Sequence, residues 1–497
     1  MTLHARGAWR RAALASIAGT AAVLGACAVG PDFNAPAAPT VGRYTAQPLV
    51  AETAAPVQRF AEAADIPAQW WALFGSEPLN ALIARALAAN PDLESANAAL
   101  RVARENLAAQ RGAALPSAEL QLNTTRQTIA TVLASPLDSG STAYSLHTAQ
   151  LVVSYAPDVF GGNRRQTESL QAQAEAQRFE LEAARLTLST NVVSAVIQRA
   201  STQAQIDATR TLIGLAERQL GLLQRQQAAG QIGVADIAAQ EAALAQARAT
   251  LPPLDRQHVQ QGNQLAAMLG GLPGETTLPE IPLDALQLPE ALPLSLPSTL
   301  VAHRPDIRAA ASQLQSASAL IGVARANRLP AFTLTAGGGS ATERLSQLFA
   351  AGTSFWSLGL NLVQPVFDGR ALLHRERAAV AGYEQAEAQY RSTVVVAFQN
   401  VADTLNAIEA DARALETARQ AEQATARSAS IAHRQQAAGA SGMLPVLIAE
   451  QAWRQAALGR VQAQAGRLAD SAALFQALGG GWWNRAATTD AETDAAR

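Results

Sequence analysis

The sequence predicts a mixed α+β membrane fold with an internal two-fold repeat, each repeat giving a helix, a strand hairpin and a pair of long helices. Three observations predict it. Two stretches in each half of the chain alternate apolar and polar residues at period two, as strands with one apolar and one polar face do. After each hairpin comes a long helical pattern that no proline interrupts. The two halves also match each other, motif by motif, in the same order.

The chain opens on a secretory signal. Arg6, Arg10 and Arg11 form a basic start, Ala12 to Leu24 an apolar run, and small residues lead to Cys27. The run is too short for a transmembrane helix, which needs roughly 20 apolar residues. Cys27 is the only cysteine of the 497 residues. Its place resembles the bacterial lipobox, which implies a diacylglycerol on the thiol, cleavage before the cysteine and acylation of the new amine. Ala28 in the next position favours, by that resemblance, sorting to the outer membrane. Residues 28–60 carry Pro31, Pro36, Pro39, Pro48 and Pro56 among small residues and read as an extended tether.

The first repeat begins near Pro78, with Leu79, Leu82, Ile83, Leu87, Leu93, Leu100 and Leu107 at helical spacing up to the stop at Leu115-Pro116. In the hairpin that follows, Leu120 and Leu122 oppose Glu119, Gln121, Asn123 and Thr125. In its second strand, Ala149, Leu151, Val153 and Tyr155 oppose Thr148, Gln150 and Ser154. A polar loop from Thr131 to Thr142 joins the two. After Phe160-Gly161-Gly162 a helix runs to about Ala229, roughly 100 Å at 1.5 Å per residue. Gly230 and Gly233 break it, and a return helix spans Asp236 to about Leu269. Pro273, Pro279, Pro282, Pro289, Pro293 and Pro297 mark a linker.

The order then recurs. A helix spans Pro305 to about Arg328. Phe332, Leu334 and Ala336 oppose Thr333 and Thr335, and Trp356, Leu358, Leu360 and Leu362 oppose Ser357, Gly359 and Asn361. Phe367-Asp368-Gly369 opens a second long helix to about Ala438. Gly439 and Gly442 break it, and the last helix ends near Leu478-Gly479-Gly480. Asn90-Pro91-Asp92-Leu93 matches Arg304-Pro305-Asp306-Ile307, and Arg225-Gln226-Gln227-Ala228-Ala229-Gly230 recurs unchanged from Arg434 to Gly439. The near-constant spacing of these matches marks a duplication.

Composition removes several function classes. A formal charge of −2 gives no footprint for nucleic acid. No long apolar run follows Leu24, so no membrane-spanning helix is expected. His303, His374 and His433 are dispersed, which gives no metal site, and Gly337-Gly338-Gly339 lies in a strand with no lysine, which points to close packing or strand bending rather than a phosphate loop. No spacing resembles a nucleophile elbow, so neither an enzyme nor a cofactor is expected.

Strands and helices together point to a tunnel. The long helices carry two apolar stripes, Leu181, Ala184, Leu188, Val192 and Ala195 beside Leu186, Val193 and Ile197, with Val394, Phe398, Val401, Leu405 and Ile408 in the second repeat. A helix apolar on two sides wants neighbours on both, as in a ring of helices. Four strands per chain cannot close a barrel, since outer-membrane barrels start at eight strands. Three chains would give twelve, with a lumen lined by Gln, Ser, Thr and Asn. A periplasmic coiled-coil spacer without a channel is the rival, and it has no need of two-faced strands.

Cys27-Ala28-Val29-Gly30-Pro31-Asp32-Phe33, Trp70-Trp71-Ala72-Leu73-Phe74, Leu296-Pro297-Ser298 before Arg304-Pro305-Asp306-Ile307, and Phe367-Asp368-Gly369 resemble, in order, the outer-membrane factors of tripartite efflux pumps. These are TolC-like proteins, here of the NodT lipoprotein type; Phe33 stands where that family usually has tyrosine. The resemblance implies a homotrimer with a twelve-stranded transmembrane β-barrel, a twelve-helix periplasmic α-barrel and an equatorial collar. It implies outer-membrane lipid, a periplasmic adaptor and an inner-membrane pump as partners. It also implies a passive, gated exit duct for small molecules, with the gate at the turns Gly230–Asp236 and Gly439–Val446. Asp236 matches the family's gate aspartate, with Gln436 as its counterpart in the other turn; a helix cap explains Asp236 equally. Pro445 and Ile448 stand where many members place constriction aspartates, and Glu450 is the candidate replacement. Trp70, Trp71, Trp482 and Trp483 are expected in the collar or a headgroup zone, Trp356 and Tyr155 in an aromatic belt.

The expected division is a signal peptide over residues 1–26, a lipidated tether and collar segment over 27–75, and repeat 1 over 76–271 with its hairpin at about 118–155. A proline-rich equatorial linker over 272–302 follows, then repeat 2 over 303–480 with its hairpin at about 331–364, and a tail over 481–497.

Overall fold

The computed structural model describes residues 29–485 apart from 38, 49–51, 55, 56, 63, 131 and 133–141. Cys27, the signal, most of the Thr131–Thr142 loop and the tail beyond Arg485 lie outside the described residues.

Along the chain the elements are β1 (Arg59–Glu62), α1 (Glu77–Ala89), α2 (Pro91–Ala113), β2 (Ser117–Thr128), β3 (Ala143–Tyr155), α3 (Gly162–Ala228), α4 (Val234–Ala249) and α5 (Leu251–Met268). Then come β4 (Ala291–Leu294), α6 (Pro297–His303), α7 (Pro305–Ala326), β5 (Ala331–Thr342), β6 (Ser354–Val363), α8 (Ala371–Ala437) and α9 (Met443–Ala477). The order α2-β2-β3-α3-α4-α5 is followed by α7-β5-β6-α8-α9, and α3 and α8 are each 67 residues long.

Two helices expected to be continuous are broken. The first stops at Ala89 because Pro91 pushes Asn90 into extended backbone (ψ 124°). The Asn90 side chain then caps α2, accepting from the Asp92 amide (2.9 Å) and the Leu93 amide (3.1 Å). The return helix of the first repeat divides at Thr250, since Pro252 and Pro253 cannot donate back to the previous turn.

The chain forms two compact units. One holds Met1–Pro36, Leu100–Gln177 and Ala310–Tyr390. Its centre is a four-stranded antiparallel sheet in the order β2-β3-β5-β6. Leu120 faces Leu151, Leu151 faces Gly338, and Gly338 faces Trp356 across the sheet. The Gly339 backbone comes so close to β3 that an added Cβ would lie 2.2 Å from the Ala149 carbonyl oxygen, so the glycine run serves close strand packing. At the start of α8, Glu376 takes Arg325 (3.0 Å) and Arg328 from the α7 side, and both guanidiniums hold its carboxyl below the usual range.

The other unit holds Ala37–Ala99, Arg178–Ala309 and Arg391–Arg497. Part of the expected free tether is built into it. β1 pairs in parallel with β4 of the proline-rich linker, Phe60 opposite Leu292. Gln58 is fully buried; its amide donates to the Pro289 carbonyl (2.9 Å) and Ser471 Oγ (3.1 Å), while its oxygen accepts from Arg467 Nε (3.0 Å). A second Arg467 nitrogen donates to Thr53 Oγ1 (2.7 Å). Satisfying each polar group lets this glutamine sit in the core. In the same unit Trp70 stacks on Phe475 with centroids 5.2 Å apart, and Trp483 stacks on His303 at 4.1 Å. The stripe residues Val192, Val193, Val401, Leu405 and Ile408 have no exposed surface.

Candidate functional site

The sheet has two unlike faces. One carries Leu120 and Leu122 from β2, Leu151, Val153 and Tyr155 from β3, Phe332, Leu334 and Ala336 from β5, and Trp356, Leu358, Leu360 and Leu362 from β6. These large side chains are uncovered: Trp356 is 81% exposed, Leu358 75%, Leu122 73% and Leu120 72%. Beyond Leu122 the same face turns polar, with Thr124 paired to His147 (3.1 Å) and Arg126 next in line. Trp356 lies level with Leu151, near that edge of the apolar band. The opposite face carries Gln121, Asn123, Thr148, Gln150, Thr333, Thr335, Ser357 and Asn361, with Gln150 Nε2 donating to Gln121 Oε1 (2.8 Å).

The four strands are 12, 13, 12 and 10 residues long. About 9–11 residues cross a bilayer core at a tilt. β2 pairs only with β3 and β6 only with β5, so among the described residues both outer edges of the sheet are open. A wide exposed apolar band with unpaired edges is unstable in water and fits lipid plus neighbouring strands.

Each long helix starts on a carboxylate where the chain leaves the sheet. Asp158 accepts from the amides of Asn163 (3.0 Å) and Arg164 (2.8 Å), and Asp368 from those of Arg370 (2.9 Å) and Leu372 (2.8 Å). The Leu372 and Arg370 amides hold the Asp368 carboxyl below its ordinary range. The aspartate-then-glycine pattern before both helices was a visible signal for these caps.

The two turns at the far ends of the long helices share one backbone design. Gly230 donates to the Gln227 carbonyl (2.8 Å) and Gln231 to that of Gln226 (2.9 Å); Gly439 donates to Gln436 (3.0 Å) and Ala440 to Gln435 (2.9 Å). This is the double bond of a Schellman end, with both glycines in the left-handed region. Gln436 is therefore matched by Gln227, not by Asp236. Asp236 is the third residue of α4, exposed, and its carboxylate accepts from the Gly233 amide (3.2 Å). The third residue of α9 is Pro445. Glu450 is bonded to His433 across the helix pair at 2.7 Å.

Farther along α8 and α9 lies a cluster that no sequence spacing signals. Asp411 on α8 shares a hydrogen bond with Asp470 on α9; burial and the Asp411 charge push the Asp470 carboxyl up to about 6. One turn before Asp470, burial and Arg419 lower the Arg467 guanidinium to about 10. Among the described residues no group of three or more His, Cys, Asp or Glu could hold a metal ion, and no helix is long and apolar enough to cross a membrane.

The family model of outer membrane efflux proteins matches residues 82–271 and 296–480. The chain is 31% identical over 466 residues to the pyoverdine export outer membrane protein OpmQ of Pseudomonas aeruginosa, covering 93% of this chain and 95% of that one. It is 29% identical over 477 residues to the toluene efflux pump outer membrane protein TtgC of Pseudomonas putida, covering 95% and 96%. The outer-membrane channel OprN superposes with a TM-score of 0.81 at 26% identity, over 92% of this chain and all of that one. The open state of the MtrE outer membrane channel of Neisseria gonorrhoeae gives 0.76 at 28%, over 93% and 100%. An exposed lipid-suited sheet, long two-sided helices and these likenesses agree: the chain belongs to the outer membrane efflux protein family and is the outer-membrane channel of an efflux system.

Proposed function

We propose that three copies join their sheets edge to edge into a twelve-stranded barrel, with the apolar face in lipid and the Gln, Asn, Ser and Thr face around a water-filled passage. The observation that carries this is the open-edged sheet whose most exposed apolar side chains, Trp356, Leu358, Leu122 and Leu120, all share one face. A bilayer leaves no unpaired strand edge, and four strands leave two. The α3–α4–α5 and α8–α9 arms continue the passage on the periplasmic side as a helical barrel. The proline-rich linker and the Trp70 core form its collar. The passage is passive. A periplasmic adaptor joins it to an inner-membrane pump, which supplies the energy; relatives named as efflux pump outer membrane proteins support that pairing. Relatives named for pyoverdine, antibiotics and toluene support small molecules as cargo.

Cys27 carries the acyl anchor, and the turns with Asp236 and Gln436 form the gate at the periplasmic end. The amides exposed there, not a ring of carboxylates, are the chemistry of the second turn, since Pro445 stands at the matching position and Glu450 is held by His433.

Single-channel recording in a planar bilayer tests the reading. Purified full-length protein is expected to give discrete conductance steps, and cross-linking in detergent to give a trimer. A monodisperse monomer without conductance would return the chain to the spacer reading.

A further inference from the structure

The first described residues do not trail free. The Val29 amide donates to the Phe160 carbonyl (3.1 Å), in the junction between β3 and α3. Gly30 then lies flat against Gly322 of α7: a Cβ on Gly30 would sit 2.6 Å from Gly322 Cα, and Gly30 is in the left-handed region (φ 111°). A Cβ on Gly322 would sit 2.7 Å from Arg165 Cγ and 2.9 Å from the Val29 carbonyl oxygen. Backbone meets backbone here, and no larger residue fits either side.

Arg165 closes over this contact. It is 7% exposed, and its guanidinium donates to the Val29 carbonyl (3.3 Å), the Gly30 carbonyl (3.5 Å), Asp32 (2.8 Å) and Glu168 (2.8 Å). Arg165 is the fourth residue of α3, where the positive end of the helix dipole disfavours a cation. The helix itself has no use for an arginine there. Glu168 offsets the dipole, and the remaining donors all go to the N-terminal segment.

We propose that Val29–Asp32 is a strap, clamped by Arg165 over the Gly30–Gly322 contact, that pins the acylated Cys27 end of the chain to the strand-to-helix junction of the first repeat. This rests on the reading that Cys27 is acylated. Cys27 is two residues from Val29, at most about 7 Å of chain. The acyl chains therefore leave the protein beside Phe160, where the polypeptide itself passes from sheet to helix. Without the clamp the lipid would hang on the proline-rich segment before β1, free to sample a wide radius. The strap makes the anchor a fixed point of the channel wall rather than a loose leash.

The test uses a nitroxide on Asn34→Cys in full-length protein reconstituted in phospholipid vesicles, with intact mass read on the same sample. An acylated Cys27 leaves the new thiol as the only reactive one. The expected result is an ordered, slow spectrum and acyl mass on Cys27. Gly30→Ala and Arg165→Ala should speed label motion about threefold or more, on the nanosecond scale, with acylation kept. Asp32→Asn, on an exposed side chain that cannot disturb the core, should produce a smaller shift in the same direction. A fast isotropic spectrum in the parent, or no change in all three variants, with Cys27 acylated, overturns the strap and leaves the lipid reading standing. An unmodified Cys27 overturns both.

Discussion

The sheet and the coiled helices treat apolar side chains in opposite ways. On the sheet, Trp356, Leu358, Leu360, Leu120 and Leu122 stand out from the protein, while Gln121, Ser357 and Asn361 beside them turn to the other side. On the helices, Val192, Val401, Leu405 and Ile408 have no exposed surface, and Gln and Arg face outward. Both regions use the same residue types. The difference lies in the solvent each is built for. Burying a leucine stabilises a fold in water by roughly 2 kcal/mol, and the helical unit collects this within one chain. The sheet leaves it uncollected within one chain.

The largest effect that can break this contrast is in the helical core. Leu405→Ala should destabilise by about 2–5 kcal/mol, read as a fall in the denaturation midpoint followed by circular dichroism. A cost below about 1 kcal/mol would mean that the helices, too, depend on partners for their core. On the sheet, Leu360→Arg should lower trimer yield in the outer membrane, since a charge on the lipid face near the midplane costs about 2–4 kcal/mol. Asn361→Arg, one residue on and on the other face, should assemble normally and shift ion selectivity. A swap of the two outcomes would invert the faces; indifference at both positions would take the sheet out of lipid.

A smaller effect separates the two regions by pH. The Asp470 carboxyl, pushed up to about 6 by burial and Asp411, holds a proton in the folded chain that the unfolded chain has already released. Its contribution is thus fully present below about pH 4 and lost as pH rises through about 6. Arg467 and Arg419 are the cations of the same cluster, where the Asp411 charge favours the Arg467 cation. Asp470→Asn should flatten that segment of the stability profile relative to the parent; an unchanged slope would mean that the two carboxyls do not share a proton. The smallest effect is at the turns. Asp236→Ala removes a bond to the Gly233 amide and should cost about 0.5–1 kcal/mol. Gln436→Ala, whose backbone carbonyl does the bonding, should stay within about 0.5 kcal/mol. If either substitution changes conductance far more than stability, that residue acts in the gate and not only in the turn.

The sheet was legible because period-two alternation is a local signal, and every face assigned from it agrees with the strand register, down to Trp356 beside Leu358 and Leu360. The long helices were legible for lack of proline. What escaped was set by contacts distant in sequence. Nothing near Gln58 announces that Pro289, Arg467 and Ser471 will satisfy its amide, so its proline-rich surroundings read as tether. The same holds for Asp411 and Asp470, which belong to different helices, and for Arg165, whose partner Asp32 lies 133 residues earlier. The breaks at Asn90 and Thr250 had a local cause in the prolines that follow, but helical periodicity on both sides masked it. Gln436 was matched to Asp236 by position in the motif; the turn hydrogen bonds match it to Gln227 instead.

The polar side of the sheet is almost free of ions. Among its described strand residues Glu119 is the one charged side chain, and amides, hydroxyls and glycines make up most of the rest. Such a wall wets readily yet exerts little Coulomb force on what passes it. A charged and an uncharged solute would meet nearly the same surface. In the proposed barrel this wall would not sort solutes by charge, and such sorting would fall to the proposed pump and adaptor.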